Sequence, residues 1–81
     1  MSSTRPRLGN LIDRVRAAQL PPPGERQRIR REAGVTLEAL ANELGVTPNT
    51  AWRWEHGYMR PSLDHAAAYR ALLDELQAAV A

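Results

Sequence analysis

The stretch Gly45-Val46-Thr47-Pro48-Asn49-Thr50-Ala51-Trp52-Arg53-Trp54-Glu55-His56-Gly57 constrains the fold more than any other. It reads as a tight turn followed by a short helix, from about Thr47 to His56, with its own start and stop. A threonine N-cap accepts an amide hydrogen bond through its side chain, and proline suits the first helical position, where its missing N–H is not needed. Gly57 supplies the stop. On the helical period Ala51, Trp54, Glu55 and Tyr58 fall on one face, while Asn49, Trp52, Arg53 and His56 fall on another. So short a helix is marginal alone, and its neighbours must hold it.

Those neighbours are also helical. From about Pro6 to Gln19, Leu8, Leu11, Ile12 and Val15 recur with helical spacing, and Arg7, Asp13, Arg14 and Arg16 take the other side. Gly9 and Asn10 weaken the start of this helix. Pro21-Pro22-Pro23-Gly24 ends it as a stiff extended hinge, with Pro22 or Pro23 available to open the next helix. A second helix is expected over Gly24–Ala33, stopping at Gly34. Ile29 and Ala33 are its only clear apolar positions, so it must dock to be stable. Thr36 caps a third helix, Leu37–Leu44, whose Leu37, Leu40, Ala41 and Leu44 share a face, and Gly45 ends it. After Gly57-Tyr58-Met59-Arg60-Pro61, Ser62 caps a last helix, Leu63–Ala79, with Leu63, Ala66, Tyr69, Leu72, Leu73, Leu76 and Val80 in one stripe. No segment alternates with period two, and no Asn-Gly or Asp-Gly turn occurs. The expected fold class is all-α, a five-helix compact domain. Its expected parts are an N-terminal arm and helix (1–20), a Pro-rich hinge (21–24) and a helical domain (24–81).

Composition narrows function by exclusion. A chain of 81 residues is one small domain, and the absence of cysteine excludes a disulfide scaffold or a thiolate zinc site. No apolar run resembles a signal peptide or a membrane span, so the expectation is a soluble cytoplasmic protein without a membrane partner. The net charge of +2 conceals a polarity: residues 1–31 carry a net +6, and residues 32–81 a net −4. Such a molecule can present a basic surface while staying soluble. All eleven basic residues are arginine. Arginine forks onto phosphate and guanine, although genomic base composition produces the same bias. His56 and His65 stand apart from any Cys or carboxylate cluster, and no nucleophile elbow or phosphate-cradling glycine loop is present. The chain is therefore not expected to be an enzyme, nor to take a cofactor, a metal or a small-molecule substrate.

Residues Gly34–Gly57 resemble the helix-turn-helix of the lambda-repressor-like (XRE, Cro-type) family. The resemblance is carried by AGVTLEALANELGVTPNTAWRWEHG followed by YMRPSLD, and spans about residues 24–75. Ala41 in the first motif helix, Gly45 at the turn, Val46 behind it, and Trp54-Glu55-x-Gly57 with Pro61 beyond are its linked features. Several have physical reasons of their own. Ala41 must be small where two helices cross closely, and Gly45 permits a left-handed backbone that a Cβ penalises. Val46, Ala51 and Trp54 bury the inner face, which frees the outer one for a major groove wide enough to admit one helix.

The resemblance implies a sequence-specific regulator of transcription that binds double-stranded DNA and is associated with the nucleoid when bound; a compact repressor of phage or mobile-element type, a Cro-like regulator and an antitoxin all fit. It assigns base reading to Pro48, Asn49, Thr50 and Arg53, with Trp52 alongside; asparagine pairs with adenine, and arginine with guanine, through two hydrogen bonds each. Thr36, Thr47, His56, Tyr58 and Arg60 are better placed for phosphates, and Thr47 can cap its helix as well. Packing does not account for Trp52, which leans either on a thymine methyl or sugar or on a protein partner. The resemblance also implies a partly buried ion pair between Arg30 and Glu55 that fixes the angle of the reading helix.

The chain departs from the family at two places. Leu37 stands where the family often has a phosphate-binding glutamine, and Arg26 where it usually has an apolar core residue. Leu20, Val15 or Leu11 would fill the resulting gap if the extra N-terminal helix is integral to the fold. Otherwise that helix is a mobile arm, with Arg5 and Arg7 reaching the DNA backbone or minor groove. The last helix offers a homodimer surface through Tyr69, Leu72, Leu73, Leu76 and Val80, unless that stripe completes the monomer core. The rival to DNA binding is a helical protein–protein module, an antitoxin or adaptor, with Trp52 and Leu37 as an apolar patch. A winged helix of the MerR or excisionase kind would need a β-hairpin after Gly57, against which Pro61 and the long last helix argue.

Overall fold

Helix boundaries in this chain follow local chemistry. A computed structural model describes residues 4–81, with side chains from Asn10 onward, and contains five helices and no strand among those residues. They are α1 (Thr4–Ala17), α2 (Pro23–Glu32), α3 (Leu37–Leu44), α4 (Pro48–Glu55) and α5 (Leu63–Val80). The Thr36 hydroxyl accepts from the Ala39 amide at 3.1 Å, Thr47 from Thr50 at 3.2 Å, and Ser62 from His65 at 3.2 Å, so three helices open on a side-chain cap. α2 opens instead on Pro23, preceded by an extended Pro22 (φ −57°, ψ 154°). The last hinge proline therefore belongs to the helix.

α3 stops at Gly45 (φ 72°) and α4 at the turn through Gly57 (φ 76°). Both backbones are left-handed, but the two glycines differ in surroundings. A Cβ on Gly45 would meet open space, whereas one on Gly57 would lie 3.0 Å from Pro23 Cγ. Gly57 is thus required both for its conformation and for the close approach of the hinge ring.

The core lies where α2, α3, α4 and α5 converge. Ile29, Leu40, Leu44, Trp54, Tyr69 and Leu73 form one buried cluster, and Leu20, Val35, Leu37, Val46, Leu72 and Leu76 pack against it half-buried. Ala41 and Ala51 are both fully buried, which lets α3 and α4 approach closely. Along the α5 stripe Ala66, Tyr69 and Leu73 are interior, and Val80 is exposed. The Tyr69 hydroxyl and the Trp54 Nε1 are enclosed without a hydrogen-bond partner among the described residues. Burial, with the nearby Glu55 charge assisting, pushes the Tyr69 phenol up to about 12.

α1 corrects part of the reading above. It packs along α5, where Arg14 meets Asp64 at 2.9 Å and the Arg70 Nη1 donates to the Arg16 carbonyl at 2.5 Å. Its apolar stripe does not fill a hole beneath Arg26, because Leu11, Ile12 and Val15 remain 49%, 45% and 42% exposed. Only Leu20, beyond the helix, reaches the core. Arg5 and Arg7, assigned to a DNA arm, lie outside the residues whose side chains are described.

Candidate nucleic-acid interface

Two arginines one helical turn apart hold α4 from behind. Residues four apart on a helix project from the same face, and here α2 aims Arg26 and Arg30 at the last turn of α4. The Arg30 Nε donates to Glu55 Oε2 at 2.6 Å and its Nη2 to Oε1 at 3.0 Å. Its Nη1 donates to the Val35 carbonyl at 2.8 Å. Glu55 is 2% exposed, so its charge is tolerated only because the guanidinium fork answers both carboxylate oxygens. Hydrogen bonding to Glu55 in turn raises the Arg30 pKa above its ordinary value.

Arg26 does different work. Its Nε donates to the Pro21 carbonyl and its Nη1 to the Trp54 carbonyl, both at 2.7 Å. Where the family usually has an apolar residue, this side chain gives its donors to two backbone carbonyls. One of these belongs to the end of α4, where carbonyls have no partner within the helix. Others near that end are met by the backbone: the Trp52 carbonyl accepts from the His56 amide, Arg53 from Tyr58, and Trp54 additionally from Gly57.

With its inner face fixed, α4 turns Pro48, Asn49, Trp52, Arg53 and His56 outward, and Thr50 lies half-buried at its first turn. The Thr47 hydroxyl accepts the Thr50 amide and donates to the Thr50 hydroxyl at 3.0 Å, linking two of the expected DNA-contacting residues. Thr36 is exposed at the start of α3, and Arg60 beyond the turn after α4. The ion pairs among the described residues join Arg14 to Asp64, Arg28 to Glu25 and Glu32, Arg30 to Glu55, and Arg70 to Asp74. Arg53 and Arg60 therefore carry charges that no described carboxylate neutralises.

Tyr58 is a correction. Helical extrapolation sets it on the packing face with Ala51, Trp54 and Glu55, yet it is 73% exposed. The helix ends at Glu55 and the left-handed Gly57 turns the chain, so positions beyond it leave the helical phase. Tyr58 instead stacks on Trp52 with ring centroids 5.5 Å apart, and Trp52 stacks on His56 at 4.3 Å. Residue-by-residue reading missed this aromatic group, although recognising Gly57 as a stop already removes Tyr58 from the packing face. The His56 Nδ1 lies 2.9 Å from the Trp52 carbonyl. A carbonyl only accepts, so Nδ1 is the donor in this contact. Leu37, expected beside Trp52 in an apolar patch, is half-buried against the core.

The α3–turn–α4 unit, with a left-handed glycine between two short helices and one helix turned outward, has the geometry of a helix-turn-helix. The helix-turn-helix family model matches residues 27–76, well over half of the chain. The chain belongs to the lambda-repressor-like helix-turn-helix family. No curated protein and no solved structure matches it. The matched span runs from within α2 to within α5, leaving α1, the proline hinge and Arg26 outside. As a helix-turn-helix protein it is a DNA-binding regulator, with α3 the first motif helix and α4 the second. No described helix is long and apolar enough to cross a membrane.

Proposed function

We propose that this helix-turn-helix protein is a sequence-specific repressor that inserts α4 into the major groove of double-stranded DNA. The observation that carries the reading is the division of α4 into two faces. Ala51, Trp54 and Glu55 are at most 4% exposed and anchored, while Asn49, Trp52 and Arg53 stand clear on the opposite side. Outer side chains on such a helix can be committed to a partner without disturbing the core. Pro48, Asn49, Thr50, Trp52 and Arg53 take the base edges, with Asn49 suited to adenine and Arg53 to guanine. Thr36, Thr47, His56, Tyr58 and Arg60 take phosphates. Two copies joined through the outer end of α5 would occupy half-sites about one helical turn apart.

One observation favours a second reading, a protein–protein module. The Trp52–His56–Tyr58 stack is an exposed aromatic surface of the kind protein interfaces use. Salt separates the two. Fluorescence anisotropy on a random duplex pool should show binding that weakens steeply as salt rises, because arginine contacts release counterions from the phosphates. Duplex binding that is absent at low salt would overturn the DNA reading in favour of the aromatic interface.

A further inference from the structure

We infer that Arg26 is a positioning residue for DNA recognition, which sets the attitude of α4 and ties it to the hinge that carries α1. The inference rests on the reading that the outer face of α4 meets DNA. Both Arg26 bonds are 2.7 Å, in the range of charge-assisted hydrogen bonds rather than of ordinary amide ones. The acceptor on α4 is one of the carbonyls without a partner inside the helix, shared here with the Gly57 amide at 3.2 Å, and a cation there also complements the helix dipole. That acceptor belongs to Trp54, the neighbour in sequence of Arg53 and two residues from Trp52. Any tilt of the last turn of α4 therefore swings two of the outward side chains.

Besides the packing of Ala51 and Trp54, Arg30 grips the last turn of α4 at one polar point, the Glu55 carboxylate. Arg26 supplies a second point on the backbone itself, and two points fix a rotation. A third contact acts in the same sense: the Pro23 ring lies against Gly57, just past the end of α4. At one extremity the hinge thus meets the end of the reading helix through Pro23 directly and through Pro21 by way of Arg26. At the other, α1 lies along α5, meeting it through the exposed Arg14–Asp64 pair and the Arg70 bond to the Arg16 carbonyl. Consecutive prolines have few torsions to absorb a displacement, so Pro21–Pro23 is a stiff segment against which Arg26 can brace α4. The proline segment lies before the span matched by the family, and Arg26 stands where the family usually has an apolar residue, so the bracing is a departure of this chain.

The test uses the full chain and two DNA probes: a duplex enriched by the wild type from a random library, and a scrambled duplex of the same length and composition. The readout is the ratio of the two dissociation constants, measured at temperatures where circular dichroism shows each variant folded. Loss of one positive charge weakens both duplexes and cancels in the ratio; a misaimed α4 does not. Arg26→Leu should lower the ratio about tenfold, the scale of one compromised bidentate base contact. Arg26→Lys, which keeps the charge but lacks the fork, should fall between wild type and Arg26→Leu. A ratio within about twofold of wild type in folded Arg26→Leu, with only the melting temperature lowered, would make Arg26 merely structural and overturn the inference. If Arg26→Leu does not fold, Arg26→Lys decides by the same criterion. A wild-type chain that enriches no duplex would instead overturn the DNA reading on which the inference rests, a distinguishable failure.

Discussion

Glu55 is the charge this protein can least afford to leave alone. It is enclosed by the core, and the Arg30 fork is what makes its ionised form tolerable there. Arg30→Met should cost about 3–5 kcal/mol in urea unfolding, because it strands a buried carboxylate. Replacing both partners, Arg30→Met with Glu55→Leu, should recover much of that loss. Tyr69 makes a second residue-scale prediction. Its phenol is held up to about 12, above the unfolded value of about 10, so the folded state binds the proton more tightly than the unfolded chain does. Stability from this group is fully present below pH 10 and is lost as pH climbs towards 12, by about 3 kcal/mol over the window. The chain has no Lys or Cys to blur that window. Denaturant titrations of Tyr69→Phe should show the alkaline fall greatly reduced, with little cost at neutral pH, since the hydroxyl has no described partner to lose. The meeting of Arg30 and Glu55 was legible because the family resemblance assigns it. The exposure of Tyr58 was obscured by extending a helical period past Gly57, where the backbone leaves the helix.

At the scale of elements, α2 to α5 could be read closely because each carries its own punctuation. Thr36, Thr47 and Ser62 act as caps, Pro23 as a first helical residue, and Gly45 and Gly57 as stops. The two glycines should respond differently to the same change. Gly45→Ala meets only the left-handed backbone penalty, about 1–2 kcal/mol, whereas Gly57→Ala must also displace Pro23 and should cost more in thermal or urea unfolding. α1 was less legible. Periodicity shows which side of a helix is apolar but not whether anything covers it, and Leu11, Ile12 and Val15 stay largely uncovered. The Arg14–Asp64 pair that helps hold α1 is exposed on both sides and worth under about 1 kcal/mol. Native-state hydrogen exchange should therefore find α1 amides opening at a small fraction of the global unfolding free energy, with α3 and α4 close to the global value. Equal protection throughout would mean that α1 is bound far more firmly than its contacts suggest.

For the whole molecule, fold and family were within reach of the sequence because one stretch, Gly45–Gly57, both punctuates a helix and divides its faces. The bonds of Arg26 were not, because it stands where an apolar residue is expected and only the folded arrangement brings the Pro21 and Trp54 carbonyls within reach of its guanidinium. The result is a small domain whose buried effort goes into presenting one helix. The most direct test of that claim is selection of duplexes from a random library by the wild type and by Asn49→Ala and Arg53→Ala, followed by affinity measurements on the enriched sequence. Wild type should enrich a defined motif, each variant should lose preference at a single position by about 1–3 kcal/mol, and Arg60→Ala should weaken all duplexes nearly equally. Enrichment of the same motif with unchanged preference by both Asn49→Ala and Arg53→Ala would contradict the account, because the outer face of α4 would then not be the surface that reads DNA.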